Sequence, residues 1–331
     1  MRRLGLRYVS VSELTISRRR RGAGFIFVNG GGRALRDQRI LYRLKRLAVP
    51  PAYENVLYAT DPQAHLQAIG RDAAGRSQYR YHPDWEKVRE LRKAKRLGLL
   101  AEALPRIRSW VSRHIGDRTP SRERAIAAVI ELVALTALRP GSETYAKQHG
   151  TRGAATLLKS DLRITGHRVS LSFIGKGGKA IEKEVRSPRL ALALKRLATL
   201  DGPRMFQYRN GDGAVLALRR REVNAVLRTV AGRAVSLKDF RTLIACSNAL
   251  EHLAEMEPKP SERGRKRQLL ATMREVAAEL ANTPAVCRRS YVHAAVVDAF
   301  ESGALRRAAR VSRSAASRER LLLKMLARVT P

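Results

Sequence analysis

The hydrophobic rhythm of this 331-residue chain changes near His82-Pro83, and that change constrains the fold more than any other feature of the sequence. Before it, RYVSVSEL (7 to 14), GFIFVNGGG (24 to 32), NVLYATD (55 to 61) and SQYRYHPD (77 to 84) place β-branched or aromatic residues between Gly, Asn, Asp and Pro, the pattern of short strands and turns. From Trp85 the apolar residues recur at helical spacing, first in WEKVRELRKAKRLGLLAEALPRIRSWV, where Gly98 and Pro105 predict interruptions. ERAIAAVIELVALTALR, RLALALKRLATL, RREVNAVLRTVAG and KRQLLATMREVAAELA continue the helical period. Residues 168 to 186, RVSLSFIGKGGKAIEKEVR, alternate on either side of a glycine turn and read as a β-hairpin. The expectation is an α+β protein: a small, mostly β N-terminal domain over residues 1 to 84, then a mainly α-helical domain over 85 to 331 with an inserted β-hairpin.

A chain of this length with 44% hydrophobic residues can bury a core without staples. Its surface is the unusual part, because Lys and Arg outnumber Asp and Glu by 66 to 29, a formal charge of +37 spread over the whole chain. Such a surface repels itself unless a polyanion is near, which makes nucleic acid the leading partner and a ribosomal or membrane-surface role the lesser one. The RRRR run at 18 to 21 reads equally as a solvated loop or a phosphate contact. Cys246 and Cys287 fit neither a zinc site nor a disulfide framework and read as small core residues in a reducing compartment. No apolar run reaches the length of about 18 residues needed for a membrane span, so no membrane partner is expected.

Two kinds of phosphate chemistry find no support. GxxxxGK[ST] does not occur, and the GKGGK of the hairpin has no Ser or Thr after it, which argues against a nucleotide cofactor. No carboxylate cluster is spaced to hold paired metal ions either. A chain like this that cuts a phosphodiester must stabilise the transition state with its own cations.

That chemistry needs a nucleophile, donors for the nonbridging oxygens and an acid for the departing oxygen. Four segments supply these types: ALTALRPGSETY with Arg139, the hairpin turn with Lys176, LKDFRT with Lys238 and Arg241, and NTPAVCRRSY with Asn282 and Tyr291. Each residue also has an ordinary reading. Arg139 suits a helix C-terminus, Lys176 a solvated turn, and Arg241 a local ion pair with Asp239; Asn282 suits a turn, and Tyr291 packing about two turns into a helix that Thr283 caps and Pro284 begins.

Read together, QAIGRDAAGRSQYRYHPDW (67 to 85), LRPGSETY (138 to 145), LSFIGKGG (171 to 178), KDFRT (238 to 242) and NTPAVCRRSYVHAAV (282 to 296) resemble the motif series of the small bacterial and poxvirus-like type IB DNA topoisomerases. The resemblance spans nearly the whole chain, in the family's order. It implies that Tyr291 is the nucleophile that captures a 3′ phosphate, that Arg139 and Arg241 grip the phosphate oxygens, and that Lys176 protonates the leaving 5′ oxygen. Asn282, where many relatives carry histidine, would donate to a nonbridging oxygen. Gln78, Tyr79, Tyr81 and Tyr145 resemble residues that touch DNA near the cut. The same resemblance implies a DNA-binding N-terminal domain and a catalytic second domain that act as a monomer clamping duplex DNA. It also implies relaxation of supercoils without ATP, metal or any other cofactor, and a cytoplasmic, nucleoid-associated location.

Several positions depart from the family pattern. GKGG stands where several relatives have an acidic residue after the lysine, which leaves Lys179 as a competitor of Lys176. LANTP replaces LGNTP, HAAV replaces HPAV, and FRTLIAC lacks the usual tryptophan; His293 reads as structural. A tyrosine recombinase would share this chemistry, but typically has histidine where this chain has Lys238, and lacks a segment like QYRYHPDW. A non-catalytic architectural DNA-binding protein would need only the charge.

Overall fold

The computed structural model describes residues 5–309 and 315–327, so the outer ends of the two expected domains, 1–4 and 328–331, lie outside it. The chain separates into two compact units, Met1–Arg92 and Lys93–Pro331.

The first unit is built on β1 (Ile16–Arg21), β2 (Gly24–Val28), α1 (Gln38–Arg46), β3 (Glu54–Tyr58), β4 (Leu66–Arg71) and β5 (Ser77–Tyr81). The strands form an antiparallel sheet in the order β2-β1-β3-β4-β5. Ile16, Phe27, Val56, Tyr58 and Ala68 are buried together with Leu44 of α1. Asp37 starts that helix, its carboxylate accepting the N–H groups of Arg39 (2.8 Å) and Ile40 (3.3 Å).

Here the structure corrects the strand reading. RYVSVSEL is not a strand: Ser10 and Glu13 close a capping box around a 3₁₀ turn at Val11–Glu13. The RRRR run is not a loop but the end of β1, with Arg19, Arg20 and Arg21 exposed and Arg18 held in place. Arg18 lies over Phe25, 4.3 Å from the ring centroid, and donates to the carbonyls of Val49 (2.9 Å), Pro50 (2.9 Å) and Tyr53 (2.7 Å). A guanidinium can occupy a strand in this way, its flat face on an aromatic ring and its donors satisfied by neighbouring backbone.

The division between units falls inside α2 (Trp85–Ile115), which runs unbroken through Gly98 and Pro105. The expected interruptions are absent because Leu97, Leu100, Leu104, Ile107 and Val111 all enter the main core. Burial of that many large apolar groups, at about 2 kcal/mol each, outweighs roughly 1 kcal/mol for glycine and 3 for proline.

At the centre of the second unit is α3 (Arg122–Thr136), buried without a break from Arg124 to Val133. A helix buried this completely is a core helix, even with Arg124 and Glu131 in the buried stretch, and its alanines let α5 (Pro188–Leu197), α6 (Arg220–Ala231) and α7 (Leu237–Ala254) pack directly on it. Between α3 and α5 lie α4 (Glu143–His149) and three strands, β6 (Leu162–Thr165), β7 (Arg168–Ile174) and β8 (Ala180–Arg186). The last two are the hairpin read from the sequence, extended by β6 into the order β6-β7-β8. A short pair, β9 (Gln207–Arg209) and β10 (Val215–Ala217), precedes α6. After α7 come α8 (Glu262–Glu279), α9 (Pro284–Ser290), α10 (Ala294–Glu301), α11 (Ala304–Ala309) and α12 (Ala315–Ala327). Among the described residues no helix is long and apolar enough to cross a membrane.

The start of α7 is fixed by Asp239, whose partner is not Arg241 but Arg96 of α2. Arg96 makes a two-pronged contact, Nε to Oδ1 at 2.8 Å and Nη2 to Oδ2 at 2.6 Å, and Asp239 also accepts the Ser236 N–H at 2.8 Å. Asp239 is buried while Arg96 stays partly solvated. Asp239→Ala therefore loses a cap and a two-pronged contact at once. We expect a loss of about 2 kcal/mol in denaturant unfolding of the full chain.

Candidate active site

Arg241 sits on the second turn of α7 and is only 2% exposed. With Asp239 engaged by Arg96, its own donors go to backbone: Nη1 to the Ala137 carbonyl and Nη2 to the Leu280 carbonyl at 3.1 Å. The first closes the end of α3 and the second the end of α8, so one guanidinium joins three helices. Burial pulls Arg241 below the usual arginine range; Tyr291 opposes this, and Arg139 adds to it by like charge.

Arg139 follows α3 and donates from both Nη atoms, at 3.3 Å each, to the carbonyl of Ala281. Ala137 and Ala281 both take the left-handed conformation, at φ +53° and +47°. At Ala281 this is a Schellman end to α8: Asn282 N–H reaches the Ala277 carbonyl (2.8 Å) and Ala281 N–H the Ala278 carbonyl (3.1 Å). The two arginines are thus cross-braced, each on the carbonyl of an alanine in a conformation that glycine adopts more readily.

The Arg139 loop is held from behind by a close crossing of two backbone segments. A Cβ on Gly153 would lie 2.5 Å from both the Arg139 carbonyl oxygen and the Gly141 nitrogen. Without it, Ala154 N–H reaches the Arg139 carbonyl at 2.8 Å. On the far side, Arg152 N–H bonds the Ile174 carbonyl (2.8 Å), which ties this loop to the end of β7. The turn that follows closes with Gly175 N–H on the Lys179 carbonyl (2.7 Å) and presents both Lys176 and Lys179 to solvent.

Arg139, Lys176 and Arg241 line one cleft, and Arg152, Lys183 and Glu279 line it with them. The last three were not singled out in the sequence. Lys183 had a readable signal, since it falls in step with Ile181 and Val185 on the inner face of β8. Lys179 does not line the cleft and donates instead to the Asn282 carbonyl at 3.4 Å. Lys238 is exposed. Asn282 is half-buried beside Ala281 and outside the cleft lining.

Tyr291 is half-buried, its ring centroid 5.3 Å from the Arg241 guanidinium carbon. It does not lie two turns inside a helix, since α9 ends at Ser290 and Tyr291 is its cap residue, with N–H on the Cys287 carbonyl at 3.0 Å. The helix stops because Val292 also turns its N–H to Cys287 (2.9 Å), and buried His293 begins α10 by accepting the Ala295 N–H on Nδ1 (3.0 Å). The break leaves carbonyls to be met from elsewhere. Cys246 Sγ reaches that of Tyr291 at 3.2 Å, and Lys93 Nζ that of Val292 at 3.1 Å. Cys287 is buried beneath the cations, and that burial raises its thiol pKa.

The remaining candidates divide between the units. In the first, Tyr79 and Tyr81 are 47% and 41% exposed on edge strand β5, their rings stacked 6.1 Å apart. Gln78 donates to Asp72 at 2.9 Å, and the hydrogen bond from Arg76 is the main reason that carboxyl titrates at about 2. In the second, Tyr145 on α4 is exposed, 5.7 Å from His149. Among the described residues no cluster of three His, Cys, Asp or Glu groups is placed to hold a metal ion.

Comparison with known proteins gives matches along most of the chain. A family model described as the catalytic core of eukaryotic DNA topoisomerase I matches residues 76–315, and one described as the N-terminal domain of bacterial DNA topoisomerase IB matches residues 24–72. DNA topoisomerase 1B of Acanthamoeba polyphaga mimivirus is 30% identical over 257 residues, 76% of this chain and 76% of that one. Two structures of XerH site-specific recombinase, a post-cleavage complex with palindromic difH and a pre-cleavage complex with difH, give TM-scores of 0.37 and 0.36 at 15% and 14% identity. They cover 64% and 58% of this chain but only about half of theirs, 52% and 49%, too slight a likeness to carry fold or activity.

Two single-methyl changes at the cleft should act with opposite sign. Ala281→Gly relieves a left-handed alanine and is expected to raise stability by about 1 kcal/mol. Gly153→Ala forces the crossing apart and is expected to cost about 3 kcal/mol. Thermal and denaturant unfolding of the full chain read both.

Proposed function

Because the chain belongs to the type IB DNA topoisomerase family, we propose that Tyr291 is its nucleophile and that Arg139, Arg241, Lys176 and Asn282 are the groups that act on the scissile phosphate. The enzyme relaxes supercoiled duplex DNA by cutting one strand, allowing rotation and rejoining it. It needs no ATP, since the phosphodiester is exchanged for a phosphotyrosyl ester and the bond energy is kept.

The observation that carries the residue assignment is the meeting of Arg139, Lys176 and Arg241 at one cleft with the Tyr291 ring beside Arg241. In this reading the Tyr291 oxygen attacks phosphorus and its proton passes to solvent. The bond to the 5′ oxygen breaks, and Lys176 protonates that oxygen. A tyrosine hydroxyl with an ordinary pKa of about 10 is mostly protonated at neutral pH, so the cations matter most as negative charge builds on the nonbridging oxygens. Arg139 and Arg241 supply the opposing positive charge. Asn282 would add a neutral donor by turning its side chain inward from the α8–α9 connection. Rejoining is the reverse: the 5′ hydroxyl attacks and returns a proton through Lys176.

The proposal assigns residues 1 to 84 to DNA binding and 85 to 331 to catalysis. Exposed Tyr79 and Tyr81, with Gln78 beside them, give the first a surface suited to sugar and base contacts, and exposed Tyr145 gives the second one more. It also has the protein acting as a monomer closed around duplex DNA, among the proteins of the nucleoid.

Plasmid relaxation in EDTA tests the assignment. Native protein should relax supercoils of either sign and Tyr291→Phe none; equal relaxation by both would remove Tyr291 from the mechanism. Arg241→Ala and Arg139→Ala should each slow single-turnover cleavage by about 10²- to 10³-fold. Binding, carried by many other cations, should change little and fall steeply with salt.

A further inference from the structure

β8 puts Ile181, Lys183 and Val185 on its inner face, and the register partner of Lys183 is buried Leu171. A lysine in such a slot gives up hydration, and hydrophobic residues normally occupy it. Burial accordingly lowers the Lys183 pKa, with Glu279 opposing the shift and Arg241 adding to it. The ammonium faces the cleft that Arg139, Lys176 and Arg241 also line.

Glu279 is the one carboxylate among the described residues lining that cleft, and it is the last residue of α8. Both places are unfavourable for it, because the cleft is to receive an anion and a helix C-terminus already carries partial negative charge. It nevertheless has a partner there, a hydrogen bond from Asn248 Nδ2 of α7. The next three carbonyls along the chain, those of Leu280, Ala281 and Asn282, are the ones that accept from Arg241, Arg139 and Lys179. Glu279 therefore anchors the turn on which the site's cations rest, and it brings a negative charge that something must offset.

We propose that Lys183 is a positioning residue of the cleavage site: it offsets the charge of Glu279, so that the α8 terminus stays anchored to Asn248 while the cleft accepts a phosphate. The inference rests on the assignment of this cleft to cleavage. An uncompensated Glu279 would draw Arg139 and Arg241 toward itself and repel the nonbridging oxygens, most strongly when their charge peaks in the transition state. The effect falls on the cleavage step more than on affinity.

Single-turnover covalent capture of a duplex whose departing strand diffuses away tests this with the full chain. Native protein must form the adduct and Tyr291→Phe must not; failure there sinks the site assignment, whatever Lys183 does. With that in place, Lys183→Met should slow capture by about 10- to 100-fold with DNA affinity within about threefold of native. Lys183→Met/Glu279→Gln should regain most of the rate, since glutamine still accepts from Asn248, and Lys183→Arg should stay close to native. Lys183→Met at the native rate, or a double variant as slow as Lys183→Met, would overturn the proposal. Should Lys183→Met fail to fold by its thermal melt, Glu279→Gln alone decides: capture within about threefold of native is expected, and a tenfold loss refutes the offsetting role.

Discussion

The second unit turns on a buried cation with neutral partners, Arg241, which with Arg124 is one of two arginines almost fully buried among the described residues. Arg241 carries its charge into the interior with Ala137 and Leu280 carbonyls as acceptors, and its nearest acidic neighbour in sequence, Asp239, is taken by Arg96. A carboxylate partner would have cancelled the positive potential at this cleft. An amide carbonyl fixes direction and leaves the charge intact, and it does not titrate. The cost of burying such a group is high unless its donors are met. Meeting those on Nη1 and Nη2 with helix ends solves a second problem, since those carbonyls lack partners within their own helices.

The geometry follows from that choice. A helix end aims its last carbonyls forward, so an arginine seated there lies on the axis of another helix rather than along its flank. The ends of α3 and α8, each marked by a left-handed alanine, both bring a carbonyl to the Arg241 guanidinium, and the α8 end brings another to Arg139. The tyrosine enters by a third route, through a helix that stops one residue short of it. Its backbone is met by the Cys246 thiol, which donates to the Tyr291 carbonyl, and by the Cys287 carbonyl, which accepts the Tyr291 N–H.

Legibility in the sequence followed how local each cause is. The β7–β8 hairpin was readable because strand alternation and a glycine turn lie within one short segment. Helices α3, α5, α6 and α8 were readable by period. β1 was not, because four successive arginines hide the alternation, and only the Phe25 ring and the carbonyls of Val49, Pro50 and Tyr53 explain Arg18. The continuity of α2 through Pro105 needs the core on its flank, which no local rule contains. In the site, residue types were legible but their convergence was not: Arg139 and Ala281 are far apart in sequence and meet only in three dimensions. The resemblance linked Arg139, Lys176, Arg241 and Tyr291; spacing could not. It had nothing to say about Lys183 and Glu279, and Lys183 was overlooked although its place in the strand pattern was odd.

The burial of α3 on every side bears on how this chain can diverge. Ala125, Ala127 and Ala128 have no exposed surface, so even an added methyl group there must displace a neighbouring helix. The end of that helix carries Ala137 and Arg139, so any such displacement is felt where the guanidinium groups are seated. Tolerance to random replacement should therefore be lowest along a helix that supplies no reacting atom, and hereditary change will accumulate elsewhere, on the charged outer faces where one arginine can drift while its many fellows keep hold of the nucleic acid.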